Sequence, residues 1–326
     1  MTTALTCWVI SDGRRGIENQ ALGLAEAASR LRPIDIETCQ IDQGSTLAAM
    51  PPSVQFKLKS RPEDYGLNTP YPAIAIGCGR QAIAPLLALK KVAGKEIFTV
   101  YVQDPRMDTA GFDLVIAPEH DDISGTNVET MIGSPNRIDE MEIIGHTLSF
   151  AEDLRNYPMP RAAFLIGGKS KTHKLGKKEH KFHLKTAKDM IDMGKSLLIT
   201  TSRRTPDWAI DDYQRLESDY DNIWLHTGSG NNPYFAFLGG AEQIFVTEDS
   251  TNMLTEACAT GKPVFRLPMA GAPGKFQKLY DALEARCHVV PVGGAINKDD
   301  YEPLEETARV ADKLWAHFDM RSALMN

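Results

Sequence analysis

The pattern that most constrains this chain is a repeated one. A short, continuous apolar run is followed by a loop carrying glycine, arginine or a carboxylate, and then by apolar residues at helical spacing. Leu5–Ile10 runs into Ser11-Asp12-Gly13-Arg14-Arg15-Gly16, after which Ala21, Leu22, Leu24, Ala25 and Ala28 recur with a helical period. The same order returns at Ala73–Ile76 before Gly77-Cys78-Gly79-Arg80 and the helix-like Ala82–Leu89, at Ile97–Val102 before Gln103-Asp104-Pro105-Arg106, and at Asp113–Ala117 before Pro118-Glu119-His120. Strands that are apolar throughout, rather than at alternate positions, belong in a parallel sheet covered on both faces.

From Ala151 to Arg161 the pattern pauses, and Pro158 and Pro160 favour an extended connection there. It then restarts with Ala162–Ile166 and Gly167-Gly168, a helix near Phe182–Met193, Ser196–Ile199, Ile223–Leu225, Gln243–Val246, a helix over Asn252–Thr260, and Pro263–Leu267. At 326 residues the chain exceeds the usual size of a single core. Two successive Rossmann-like domains are expected, 1–156 and 157–326. The closing stretch Leu304–Leu324 has Val310, Ala311, Leu314, Trp315 and Phe318 on one helical face, and is expected to pack as a helix that crosses back to the first domain.

Composition narrows the function classes. With 36 Lys and Arg against 43 Asp and Glu, a net charge of -7 gives no global field for nucleic acid. The five cysteines are scattered and include no CxxC, which argues against a zinc site or a disulfide framework and suits a reducing cytoplasm. Neither an export signal nor a membrane-spanning run is legible.

In open parallel sheets ligands sit beyond the carboxyl ends of the strands. Four such loops stand out. The first joins Gly13, Arg14 and Arg15 to two carboxylates, Asp12 and Glu18, at a helix entrance, a combination suited to an anion and a proton acceptor. A capped turn with solvated arginines is the bland alternative. The second, Gly77-Cys78-Gly79-Arg80, has neither dinucleotide nor P-loop spacing, and Cys78 reads as a small buried thiol. The third opens the second half: Gly168 and Lys169 suit a phosphate, while the lysines onward to Lys185 read as a solvated face or as a contact with an anionic acceptor or membrane surface. His173, His180 and His183 lie in this lysine-dense stretch with no acidic ligand except Glu179, and no metal is expected. Ser202, Arg203 and Arg204 follow the next strand, again pairing hydroxyl with guanidinium.

The fourth loop is the most informative. In Thr247-Glu248-Asp249-Ser250-Thr251-Asn252-Met253, residues Ser250 and Thr251 stand where they cap a helix and share its N–H groups with a diphosphate, and Asn252 joins them as a candidate for binding the nucleotide. Glu256 follows on that helix, placed to accept both hydroxyls of a ribose. Gly261 and Lys262-Pro263 close the helix and begin another strand.

Two resemblances rest on these residues. The Asp-Ser-Thr-Asn-Met, Glu-Ala and Thr-Gly-Lys-Pro-Val string resembles the donor-binding segment of GT-B-type glycosyltransferases. Val9 to Gln20, Gln103-Asp104-Pro105-Arg106, Thr201 to Pro206 and that string together resemble the mitochondrial-fission (elongated mitochondria) family, over about residues 6 to 320. The resemblance implies an α/β, GT-B-like fold, with two parallel-sheet domains facing across a cleft. It brings no catalytic histidine, because the first loop lacks the glycine and histidine arrangement of lipid-linked GT-B enzymes.

The function expected from the residues and the resemblance is sugar transfer, inverting or retaining, from a nucleotide-diphosphate sugar to an envelope-type or lipid-linked acceptor. The nucleotide sugar would be a substrate, with neither cofactor nor metal, and Asp12, or else Glu18, would be the base. The expected location is cytoplasmic with peripheral contact at the inner membrane surface. The alternative is a non-catalytic GT-B-like scaffold that recruits a protein, since fold alone does not decide function.

Overall fold

The computed structural model describes residues 4–41, 43–294 and 301–324. Fourteen strands run in chain order as β1 (Leu5–Ser11), β2 (Ile34–Gln40), β3 (Ile74–Cys78), β4 (Phe98–Val102), β5 (Leu114–Pro118), β6 (Val128–Met131), β7 (Arg161–Ile166), β8 (His173–Lys174), β9 (Ser196–Thr201), β10 (Ile223–His226), β11 (Gln243–Thr247), β12 (Val264–Leu267), β13 (Ala270–Gly271) and β14 (Val290–Pro291) among the described residues. The helices there are α1 (Arg15–Leu31), α2 (Gly44–Ala49), α3 (Pro52–Leu58), α4 (Ile83–Ala93), α5 (Glu140–Ser149), α6 (Ala151–Leu154), α7 (Lys177–Asp192), α8 (Asp207–Asp219), α9 (Tyr234–Gly240), α10 (Thr251–Cys258), α11 (Phe276–Cys287) and α12 (Glu306–Ala323).

Two compact units result. The first contains the described residues up to Arg137 and those from Glu305 onward; the second spans Ile138–Leu304. The first unit is built on a six-stranded parallel sheet in the order β2-β1-β3-β4-β5-β6. β3, β4 and β5 are buried at every position, as their apolar sequences require, with Thr99 of β4 the buried polar exception among them. β2 differs: as an edge strand it buries none of its positions, and its exposed Asp35 and Glu37 suit that place. The 17 residues of α1 bury Ala21, Leu24, Ala25 and Ala28 against the sheet, and Val310, Ala311, Leu314 and Trp315 of α12 join the same core.

The second unit repeats the plan, with strand order β10-β9-β7-β11-β12-β14 and parallel pairing throughout. Stacked Phe164, Phe245 and Phe265 lie side by side on β7, β11 and β12, with ring centroids 4.6 and 5.0 Å apart. α7 begins at Lys177, five residues before the helix expected from apolar spacing, because its exposed first turn is lysine-rich and carries no apolar signal.

One boundary needs correction. The division expected at 156/157 lies inside the second unit, which begins at Ile138. α5 packs on α9, with Ile143 and Thr147 against Gly239, so residues ahead of the prolines already belong to the second core. No described helix is long and apolar enough to cross a membrane.

Candidate functional site

β9, β7 and β11 are neighbours in the second sheet, and the loops leaving their carboxyl ends are bonded to one another. The Gly167 N–H donates to Thr247 Oγ1 at 2.7 Å and the Gly168 N–H to Asp249 Oδ2 at 3.0 Å. Thr205 Oγ1 donates to the Gly167 carbonyl at 2.7 Å, and the Lys169 N–H reaches the Arg204 carbonyl at 3.3 Å. Arg204 closes the set: its guanidinium meets Asp249 Oδ2 at 2.8 Å and donates to the Lys169 carbonyl at 3.2 Å. The Asp249 side chain is buried, and its Oδ1 has no hydrogen-bond partner among the described residues.

Glycine is required in this knot by close approach. A Cβ on Gly167 would stand 2.2 Å from Asp249 Oδ1, and one on Gly168 only 1.8 Å from the Arg204 carbonyl oxygen. Ser202, Arg203 and Arg204 thus lie beside Gly168 and Lys169. Lys169 and Arg203 are exposed, so both cations face solvent at the strand ends.

α10 starts from the same edge. Ser250 is its N-cap, accepting from the Met253 N–H at 3.4 Å, and Thr251 and Asn252 form the first turn. Glu256 is partly buried, and the Tyr234 hydroxyl donates to its Oε2 at 2.5 Å. Burial pushes the Glu256 carboxyl up to about 7, against the opposing pull of the Tyr234 hydrogen bond. A helix N-terminus, a glycine turn and two exposed cations together favour a bound anion.

In the first unit the β1 loop is also knotted. Ser11 donates to the Glu18 carboxylate, and the Gly13 N–H donates to Ser11 Oγ at 3.0 Å. Asp12 accepts from the Arg14 guanidinium at 2.6 and 2.9 Å and from the Arg14 N–H at 3.2 Å. That hydrogen bond holds the Arg14 guanidinium above its usual range. Arg15 opens α1 and is exposed. Nearby, Gln20 Oε1 accepts from Gln103 Nε2 at 3.1 Å and from Cys78 Sγ at 3.4 Å. Cys78 is buried and its thiol is pushed up by desolvation, so it behaves as packing rather than as a nucleophile.

The lysines of the β8–α7 stretch are placed otherwise. Lys171, Lys174, Lys178, Lys181 and Lys185 are exposed, Lys185 pairs with Asp189 at 2.6 Å, and Lys177 sits 3.6 Å from the centre of the Trp208 ring. His180 faces Asp212 at 3.1 Å, and His183 Nε2 lies 2.8 Å from the Pro268 carbonyl.

The contacts of four residues escape sequence reasoning. Asp249 and Thr205 act through partners about forty to eighty positions away, with no local signal. Tyr234 follows a Gly-Ser-Gly-Asn-Asn-Pro run that reads as a turn, and nothing in that run points to Glu256. Gln103 adopts φ 97, rare for a residue with a side chain, at the end of β4, and strain of this kind collects at functional loops.

Two Rossmann-like units, each on a six-stranded parallel sheet, place the chain among GT-B-like proteins. The E. coli ADP-heptose LPS heptosyltransferase II matches with a TM-score of 0.53 at 12% identity, over 98% of this chain and 100% of that one. UDP-GlcNAc 2-epimerase from Neisseria meningitidis, solved bound to UDP-GlcNAc, matches with a TM-score of 0.54 at 13% identity, over 95% of this chain and 99% of that one. At such identity the likeness is one of fold. The chain belongs to the mitochondrial fission ELM1 family, whose family model matches residues 15–318. The Arabidopsis thaliana mitochondrial fission protein ELM1 is 24% identical over 269 residues, 74% of this chain and 63% of that protein. This chain therefore spans less than two thirds of that relative.

Proposed function

We propose that the protein binds a nucleoside-diphosphate sugar in its second unit and transfers the sugar, without a metal, to an envelope-type or glycolipid acceptor. The observation that carries this reading is the bonded convergence of the Gly167–Lys169, Ser202–Thr205 and Glu248–Ser250 loops at the start of α10, with Glu256 on the same helix. The helix start and glycine turn receive the diphosphate; Lys169, Arg203 and Arg204 stabilise the charge of the departing phosphate. Glu256 takes the ribose. The neighbour solved with UDP-GlcNAc lends the donor class support at the level of fold.

Titration with nucleoside diphosphates tests this. A ligand that binds only the folded protein adds about 2.7 kcal/mol at a hundredfold excess over Kd, which a thermal shift reads directly. Glu256→Gln is expected to weaken nucleotide binding about tenfold or more while leaving the melting temperature of the free protein nearly unchanged, because glutamine still accepts from Tyr234 and conserves volume. Absence of binding by all purine and pyrimidine diphosphates at millimolar concentration refutes the transferase reading.

Asp12 is the proposed base, with Glu18 as second choice. Asp12→Asn should lower turnover with a cognate donor and acceptor by about 10²- to 10⁴-fold and leave donor affinity unchanged. A parallel loss of donor affinity would make Asp12 structural.

The second reading is a non-catalytic scaffold that recruits a protein. It is favoured by the self-satisfied state of the candidate groups: Asp12 is held by Arg14, Glu18 by Ser11 and Arg204 by Asp249. A scaffold whose cleft is vestigial binds no nucleotide, and one whose cleft senses a ligand binds it without turnover, so titration followed by a turnover assay with donor and acceptor separates the two.

A further inference from the structure

Tyr234 stands at the start of a short helix fixed at both ends. Its own N–H donates to Asn232 Oδ1 at 3.1 Å, and Ala236, Phe237 and Leu238 bury the following turn. At the other end, Lys262 Nζ donates to the carbonyls of Leu238 and Gly239 at 2.7 and 2.6 Å. The phenol therefore reaches Glu256 from a rigid support. It occupies Oε2 at 2.5 Å and leaves Oε1 without a hydrogen-bond partner among the described residues. A carboxylate accepts from several donors, so one neutral hydroxyl does not exhaust it. Among the described residues, no cation or second carboxylate from β11, β12 or α11 faces this group, and Tyr234 of α9 is its titratable partner.

We infer that Tyr234 is a positioning residue that orients the Glu256 carboxylate toward the vicinal hydroxyls of a ribose, so that the second unit selects ribonucleotides over deoxyribonucleotides. This rests on the nucleotide-site reading above. A phenol that holds one oxygen in place lowers the cost of orienting the other for a diol. The ionised carboxylate accepts from both hydroxyls about twice as strongly as the neutral acid does. Because burial raises this carboxyl to about 7, the diol contact strengthens as pH rises through that value and weakens below it.

The test uses the full chain and the tightest binder among ADP, CDP, GDP and UDP, compared with its 2′-deoxy counterpart. Both ligands share the titration of the terminal phosphate, so the ratio of their affinities isolates the diol. At pH 8 the ribonucleotide is expected to bind about tenfold more tightly or better, with the ratio collapsing toward one at pH 6, since each unit below the carboxyl pKa costs up to about tenfold. Tyr234→Phe, which keeps the ring, should bring the ratio at pH 8 down to about threefold or less while the deoxynucleotide binds as before. A wild-type ratio near one at pH 8, or a ratio flat between pH 6 and 8, overturns the inference while leaving the nucleotide site standing, and needs no variant. A folded Tyr234→Phe protein with the wild-type ratio overturns it too. Failure of all four diphosphates to bind removes the underlying site reading, and this inference with it.

Discussion

Gly168→Ala is expected to destabilise the protein by about 3 kcal/mol or more and to abolish nucleotide binding. The added methyl would meet the Arg204 carbonyl oxygen at 1.8 Å, its carbon at 2.2 Å and the Thr205 nitrogen at 2.6 Å. All three are backbone atoms, so no rotamer change relieves the clash. Moving the chains apart breaks the Gly168 bond to Asp249 and the Lys169 bond to Arg204. Overpacking costs about 1–3 kcal/mol and sometimes more, and each lost hydrogen bond adds about 1 kcal/mol. Urea unfolding measures the sum. Gly145→Ala is the control: it lies within α5 with nothing inside 4 Å of the new methyl, and alanine there should stabilise by about 0.5–1 kcal/mol. If Gly168→Ala were as stable as wild type and bound nucleotide normally, the loop knot would not be the binding scaffold.

Trp315→Ala should cost about 3–5 kcal/mol, the usual penalty for removing a large buried aromatic side chain. Trp315 is 3% exposed, and its indole N–H donates to the Ala28 carbonyl of α1 at 3.0 Å. Phe318 meets its ring edge-on at 5.5 Å, and the Arg32 guanidinium lies 4.6 Å from the ring centre. The substitution therefore opens a cavity in the first core and removes one of the two donors to the Ala28 carbonyl, which keeps the Arg32 N–H at 3.2 Å. The Arg32–Asp319 pair alongside is half-exposed and contributes little. The measurement is the denaturant midpoint, with the second unit followed separately through nucleotide-induced stabilisation. A change below about 1 kcal/mol would show that α12 is dispensable to the first unit.

These two positions divide the legible from the illegible. The periodicity in α12 was visible, because a helix that buries one face must repeat its apolar residues every three or four positions. The central strands were visible for a related reason: β3, β4, β5, β7 and β9 are covered on both faces, and burial on both faces demands continuous apolar residues. β2 and β14 were not, since an edge strand needs no such run. Ser250 was readable as a cap because capping joins residues only three apart.

The amino-acid sequence by itself determined the parallel α/β class, the two-unit repeat, the strand-end loops and the start of α10. Each follows from interactions within a few positions along the chain. The tertiary structure alone decided that the second unit begins at Ile138, that Asp249 lies against Gly168, and that Tyr234 holds Glu256. Gly168 and Asp249 are 81 positions apart, and they meet because β7 and β11 pair in the sheet. Strand pairing is set by how whole faces pack, a property of the assembled core that no single segment encodes.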